Sequence, residues 1–128
     1  MAPVKPFYNE DHTKAAILVS YGYGTGWSSE NGDSRLAYDK RIIEFYLQHY
    51  QDKQWMKNTR IHHSVEYEEL LTFLRSLPEY KDIEYFNLLG FENCILEWIP
   101  LNTPFMIEEY DGSESLVRRT AIDWIYLQ

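Results

Sequence analysis

The sequence has little of three things: cysteine, positive charge and long apolar runs. Its one cysteine, Cys94, cannot form an internal disulfide, which favours a reducing compartment such as the cytosol. There are 12 Lys and Arg residues against 20 Asp and Glu residues, and the formal net charge is -8. This balance argues against a surface for nucleic acid or for an anionic membrane, because both need clustered positive charge. With no apolar run of membrane-span length and no apolar signal segment, we expect a soluble intracellular protein.

The chain is, by contrast, rich in aromatic residues. They make up 16% of its 128 residues, with 11 tyrosines and 4 tryptophans. Such side chains combine a large contact area with a polar group, so they favour ligand pockets and subunit interfaces as well as cores. The length predicts one domain with a core of its own.

Hydrophobic periodicity predicts an α+β fold. Helical spacing of apolar residues covers about 35–51 and 64–77, and Asp33 or Ser34 can cap the first helix. Strands are predicted at 15–20, 94–99, 105–110, 115–121 and 123–127, with a tight hairpin turn at Asp111-Gly112. We therefore expect one antiparallel β-sheet with two helices packed on one face. Residues 1–14 are expected to be a flexible N-terminal arm, and 15–128 a single domain.

A glycine-rich loop, residues 20–29 (SYGYGTGWSS), links the first strand to the first helix. Strand, glycine loop and helix form an arrangement whose free N–H groups can bind anions such as phosphate. The residues flanking the glycines add stacking surfaces and hydroxyl groups. The candidate ligand contacts here are Tyr23, Gly24, Trp27 and Ser28. A tight connection in which glycine only permits the turns explains the same pattern.

Further candidates lie along the rest of the chain. Arginines suit phosphate, phenylalanine can stack on a purine, and amide or carboxylate groups can bond to a base or a ribose. On these grounds we select Arg41, Phe91, Asn93, Glu109, Arg118 and Arg119. Each also has a plain structural explanation: a solvated helix arginine, a core phenylalanine, a turn asparagine, an exposed carboxylate, or arginines that offset local acidity.

No catalytic or metal-binding pattern stands out. His62 and His63 are adjacent, so their side chains point in different directions on a helix or strand. The sequence from Gly26 to Ser29 does not match the nucleophile elbow of hydrolases, and Cys94 in an apolar strand is more typical of a core residue. We predict that the protein binds no metal and no cofactor and is not an enzyme.

Two motifs together suggest a relationship. The glycine loop, followed by Asp39-Lys40-Arg41 in a helix, and the later segment 105–114 (FMIEEYDGSE) resemble small proteins encoded by phages and prophages. The resemblance runs from about Ala15 to Glu114. Among such proteins the chain is similar to the anti-Thoeris sponges, which form symmetric oligomers. Sponges bind the cyclic ADP-ribose signals of a bacterial defence system without cleaving them.

The resemblance implies a homo-oligomer in the host bacterial cytoplasm that sequesters a cyclic nucleotide signal. It implies that the glycine loop and arginines bind pyrophosphate, aromatic side chains bind adenine and polar side chains bind ribose. Two alternatives stay open. The acidic charge favours an inhibitor that binds a host nuclease, as in anti-CRISPR or anti-restriction proteins. An enzyme that degrades a nucleotide signal would use Glu109 or Asp111 as its base.

Overall fold

A computed structural model describes residues 4–21, 26–49 and 65–118 of the chain. Within these ranges the fold is α+β, as predicted. Short 3-10 turns lie at Ser34–Ala37 and Pro78–Tyr80. The regular elements are β1 (Lys14–Ser20), α1 (Ser28–Asn31), α2 (Lys40–His49), α3 (Val65–Arg75), β2 (Cys94–Pro100), β3 (Phe105–Tyr110) and β4 (Ser113–Arg118). None of the helices in the described ranges has the length and apolarity to cross a bilayer.

The described strands form two antiparallel pairs, whereas we predicted a single sheet. β1 pairs with β2 from Lys14 opposite Pro100 to Ser20 opposite Cys94. β3 pairs with β4 through the predicted hairpin turn, where Asp111 (φ 53°) and Gly112 (φ 82°) are both left-handed, as a tight hairpin requires. The turn after β2 contains another left-handed residue, Asn102 (φ 64°). In the described residues the hairpin packs on β1 through side chains, not through a continuous ladder.

The first strand is buried on both faces, which explains its continuous apolar sequence. Ala16 and Leu18 belong to a core cluster that includes side chains from α2 and α3. Ala15, Ile17 and Val19 belong to a second cluster, which the inward-facing side chains of the β3–β4 hairpin complete. Alternate residues of a strand point to opposite faces, so β1 lies between the helices and the hairpin.

The first long helix begins later than predicted. Asp33 is a cap, as expected, but it caps a 3-10 turn, where its side chain accepts the N–H of Arg35. Tyr38 then leaves helical geometry, with φ -129° and ψ -1°, and α2 begins at Lys40. The second predicted helix corresponds to α3. Residues 83–86 lie in bends and irregular backbone.

The N-terminal residues that the structure describes before β1 make main-chain and side-chain contacts with the domain. Phe7 packs on the main core cluster, and its carbonyl accepts the N–H of Ala16 at 2.9 Å. Tyr8 forms a bridge with Ala15, and Pro6 forms one with Asp39. The aromatic pair at 7 and 8 thus anchors the segment to β1.

Candidate functional site

The two described ends of the glycine loop contact a buried carboxylate that lies far away along the chain. Glu114 of β4 is 1% exposed. One of its oxygens, Oε1, accepts the backbone N–H of Ser20 at 2.9 Å. The other, Oε2, accepts the N–H groups of Trp27 at 2.8 Å and Ser29 at 3.0 Å, and the Ser29 hydroxyl at 2.5 Å. We call these four residues the Glu114 cluster.

The cluster holds both ends of the glycine loop in place. Ser20 is the last residue of β1, and Trp27 and Ser29 lie at the start of α1, so one side chain connects the two ends of the connection. These four donors, none of them a cation, provide hydrogen bonds to both oxygens of the carboxylate. The sequence predicted an anion at this loop. For these three N–H groups the anion is the protein's own side chain.

The glycine at position 26 makes the approach possible. A Cβ atom there would lie 2.5 Å from Ser29 Oγ and 2.9 Å from Glu114 Oε2, both far inside van der Waals contact. Glycine removes this collision and lets the carboxylate reach the main chain. The loop and the hairpin are therefore fitted to each other at this point.

Two aromatic candidates are core residues, which corrects their predicted role as stacking surfaces. Trp27 and Phe91 are both fully buried, with ring centroids 4.8 Å apart in an edge-to-face arrangement. The Trp27 indole also donates a hydrogen bond to the carbonyl of Leu36 at 2.8 Å. Their faces are covered by protein, so a ligand cannot stack on them in this arrangement. Ser28, also a candidate, is buried at the start of α1.

A groove of about 430 Å³ lies beside the Glu114 cluster, between the loop, the 3-10 turn and β3. We call it the loop groove. Its lining combines hydroxyl groups, one carboxylate and half-buried aromatic side chains, among them Ser28, Ser29, Asp33, Ser34, Tyr38 and Phe105. Of the predicted site residues in the described ranges, only Ser28 lines it.

The carboxylate of the loop groove is held by an arginine that sequence reasoning missed. Arg35 donates to Asp33 through Nε at 3.0 Å and through a terminal nitrogen at 2.7 Å. These hydrogen bonds lower the pKa of Asp33 below its ordinary value and raise the pKa of Arg35. Arg35 also donates to the carbonyl of Glu79 and lies over the ring of Tyr80. Asp33 is therefore ionised at neutral pH and fixed in orientation.

Arg41 belongs to a separate cluster. Its guanidinium donates to the buried Asp39 at 2.8 Å and contacts Glu79 at 3.1 Å. The hydroxyl of Tyr80 donates to the same aspartate at 2.6 Å. We call these four residues the Asp39 cluster. In the described part of the chain, the hydrogen bonds and ion pairs of Arg41 go to Asp39 and Glu79, and none reaches the glycine loop.

The pKa values in the Asp39 cluster follow from its contacts. The hydrogen bond to Asp39 raises the pKa of Arg41. Burial, followed by the hydrogen bond to Asp39, raises the pKa of Tyr80 well above its ordinary value. At neutral pH the arginine is therefore charged and the phenol holds its proton. The arrangement is that of a structural ion pair supported by a neutral hydroxyl.

The remaining predicted residues that the structure describes lie on different elements. Asn93 is half-buried in the turn before β2, and its N–H donates to the carbonyl of Gly90. Glu109 is exposed at the end of β3 and accepts the N–H of Gly112, so it closes the hairpin turn. Arg118 is the last residue of β4, opposite Phe105. Tyr23, Gly24 and Arg119 lie outside the described residues.

Strand alternation is the signal that would have identified Glu114. Leu116 is apolar and contributes to the hairpin's inner face, and Glu114 lies two residues before it on the same strand. That register predicts that Glu114 also points inward, where a carboxylate needs hydrogen-bond donors. The glycine loop supplies them.

Among the described residues, no group of three or more His, Cys, Asp or Glu side chains is arranged to hold a metal ion. Comparison of the chain with protein-family models, with curated proteins and with solved structures finds no match.

Proposed function

We propose that the protein binds a small nucleotide of the cyclic ADP-ribose type in the loop groove and holds it without cleaving it. The observation that supports this proposal is the Glu114 cluster, which fixes the wall of an open groove before any ligand arrives. A fixed wall lowers the entropy lost on binding, and a protein that sequesters a signal needs that affinity. The phage origin, the host cytoplasm and the homo-oligomer belong to the same proposal.

The chemistry of the loop groove suits such a ligand. Serine hydroxyls can donate to or accept from ribose oxygens, and an ionised, oriented Asp33 can accept bonds from a diol. Tyr38 and Phe105 are half-buried, which leaves ring surface for an adenine. Binding of this kind requires no nucleophile or general acid. The protein therefore acts as a sponge in this proposal.

A second candidate function rests on the tip of the β3–β4 hairpin. Glu108, Glu109 and Asp111 are exposed there, and Tyr110 between them is 86% exposed. An acidic tip with one accessible aromatic residue suits a basic protein groove, in line with the net charge of -8. This surface favours an inhibitor of a host nuclease as the alternative.

Native mass spectrometry with a panel of cyclic ADP-ribose isomers and cyclic oligonucleotides tests the proposal. We expect one isomer to bind and to be recovered intact after heat release. A Ser34→Trp variant, which places a large side chain in the groove, should lose binding. Ser76→Trp is the matched control because Ser76 is exposed at the end of α3.

Each other outcome has a definite meaning. A ligand recovered in cleaved form would replace the sponge with a degrading enzyme. Equal binding by the two tryptophan variants would move the site away from the loop groove. If no nucleotide binds, the proposal fails, and a salt-sensitive complex with a host nuclease becomes the function to test.

A further inference from the structure

We infer that Glu114 occupies the anion-binding position between the two described ends of the glycine loop, so that a ligand in the loop groove meets these ends through its ribose and base and not through phosphate. The inference rests on the proposed function and specifies which part of the ligand the site recognises. It reverses the usual expectation for a strand, glycine loop and helix, in which the loop N–H groups hold phosphate.

The first step is the convergence of donors on one carboxylate. Ser20, Trp27 and Ser29 direct their backbone N–H groups at the two oxygens of Glu114, with distances from 2.8 to 3.0 Å. The Ser29 hydroxyl adds a fourth donor. Both oxygens are used, and the side chain is 1% exposed. These donors therefore have their anion already.

The second step concerns space and charge. A Cβ atom added at Gly26 would lie only 2.9 Å from Glu114 Oε2, so the carboxylate fills this position tightly. A phosphate could reach these N–H groups only by displacing the carboxylate. A phosphate placed beside the buried carboxylate would instead meet an unfavourable like-charge interaction, which low solvent access strengthens. The pyrophosphate of the ligand is therefore directed away from this part of the loop.

The third step is what the groove offers in its place. Its described lining presents hydroxyl groups from Ser29 and Ser34 and the carboxylate of Asp33. The charge of Asp33 is paired with Arg35, but its carboxylate offers a phosphate no donor, whereas ribose hydroxyls can donate to it. Tyr38 and Phe105 leave aromatic surface beside these groups. The groove thus matches a nucleoside.

A competition experiment on the wild-type protein tests this directly. With a cyclic ADP-ribose isomer bound, adenosine should displace it in proportion to its concentration. Inorganic pyrophosphate at the same excess and matched ionic strength should leave the bound fraction unchanged. Displacement by pyrophosphate but not by adenosine would overturn the inference while the proposed function stands. Failure of every isomer to bind would instead remove the proposed function, and with it the ligand part of the inference.

Chemical rescue tests the occupied anion position independently of any nucleotide. Glu114→Ala should lower the thermal unfolding midpoint, and sodium acetate should raise it again by more than it raises the wild-type midpoint, because acetate restores an acceptor to the freed N–H groups. Glu108→Ala, which removes an exposed carboxylate of the same hairpin that lies opposite Ser115, is the control and should show no such excess.

The inference can still be tested if Glu114→Ala folds poorly. The isosteric Glu114→Gln keeps one oxygen acceptor, and pyrophosphate competition on wild type needs no variant at all. Equal acetate effects on wild type, Glu114→Ala and Glu108→Ala would overturn the assignment of an anion-binding position to this loop.

Discussion

Among the residues that the structure describes, two carboxylates are almost completely buried, yet they are stabilised in different ways. Glu114 is 1% exposed, and the donors that the described residues supply to it are all neutral: three backbone N–H groups and one hydroxyl. Asp39 is also 1% exposed, but its partners include the charged guanidinium of Arg41 as well as the hydroxyl of Tyr80.

The partners also differ in their distance along the chain. Arg41 is two residues from Asp39, and its N–H bond to the same side chain caps the first turn of α2. The donors to Glu114 lie 85 to 94 residues away. Asp39 therefore stabilises local structure and the contact with Tyr80, whereas Glu114 determines where the hairpin meets the glycine loop. A loop that must be held in place for ligand binding needs long-range contacts of the kind that Glu114 makes.

The largest expected effect is that of Glu114→Gln. The amide has the size of the carboxylate, but its NH₂ group would face N–H donors, so at least one buried donor loses its acceptor. We expect a loss of about 3 kcal/mol in the free energy of unfolding, since each unsatisfied buried donor costs roughly 1–3 kcal/mol. Urea denaturation at neutral pH measures it. A loss no larger than that of the exposed Glu108→Gln would show that the cluster does not hold the loop.

The next effect compares two glycines on either side of α1. Gly26→Ala places a methyl group against Ser29 Oγ and Glu114 Oε2, and overpacking of this kind costs about 2 kcal/mol. Gly32 has φ +70° with open space around it, so Gly32→Ala should cost about 1 kcal/mol through backbone strain alone. Thermal unfolding of both variants measures the difference. Equal losses would mean that the loop moves aside without breaking the cluster.

Asp39→Asn should have a smaller effect than Glu114→Gln. Arg41 is 38% exposed and also contacts Glu79, so it can turn to water or to the second carboxylate when the charge of Asp39 is removed. We expect a loss of about 1–2 kcal/mol, in the range of one hydrogen bond to a charged group. Urea denaturation measures this loss of unfolding free energy. If the loss is greater than for Glu114→Gln, Arg41 stabilises its carboxylate more than the backbone donors stabilise Glu114, and the comparison is reversed.

The sequence predicted most of the fold, because most elements are specified locally. Apolar periodicity located α3, β2 and β3, and the Asp111-Gly112 pair fixed the hairpin turn that the structure confirms. The late start of α2 and the division into two strand pairs could not be predicted. The first depends on Tyr38 leaving helical geometry, and the second on side-chain packing between distant strands.

The site was harder to predict for the same reason. Trp27 and Phe91 were selected as ligand contacts because aromatic residues beside glycines and turns favour stacking, but tertiary packing buries both against each other. Glu114 was not selected because a carboxylate in a hairpin usually faces solvent. Its role depends on donors more than 80 residues away, and no local pattern encodes that contact.

The contrast between charged and neutral partners extends to two buried tyrosines. The Tyr80 hydroxyl donates to the charged Asp39, whereas the Tyr46 hydroxyl donates to the backbone carbonyl of Cys94 at 2.5 Å. Burial raises the pKa of Tyr46 from 10.0 to about 12. The folded protein therefore holds this proton over a pH range in which the unfolded chain has lost it.

Tyr46→Phe should make alkaline unfolding less steep. Because the folded pKa lies above the unfolded one, the stabilisation is complete below pH 10.0 and is lost as pH rises towards about 12. Over this pH range the free energy of unfolding of the wild type decreases as pH rises. In Tyr46→Phe the decrease should be less steep, by less than the slope that one proton produces. At every pH the variant should also lose about 1 kcal/mol of unfolding free energy, because the hydrogen bond is missing. Urea denaturation at several pH values across this range measures both the change in slope and the constant loss of unfolding free energy. Tyr80→Phe should also make the decrease less steep. The effect of Tyr80→Phe should be larger and extend to higher pH, because the hydrogen bond to Asp39 raises the pKa of Tyr80 in addition to burial. Parallel slopes for wild type and Tyr46→Phe would show that the Tyr46 phenol ionises alike in the folded and unfolded chains.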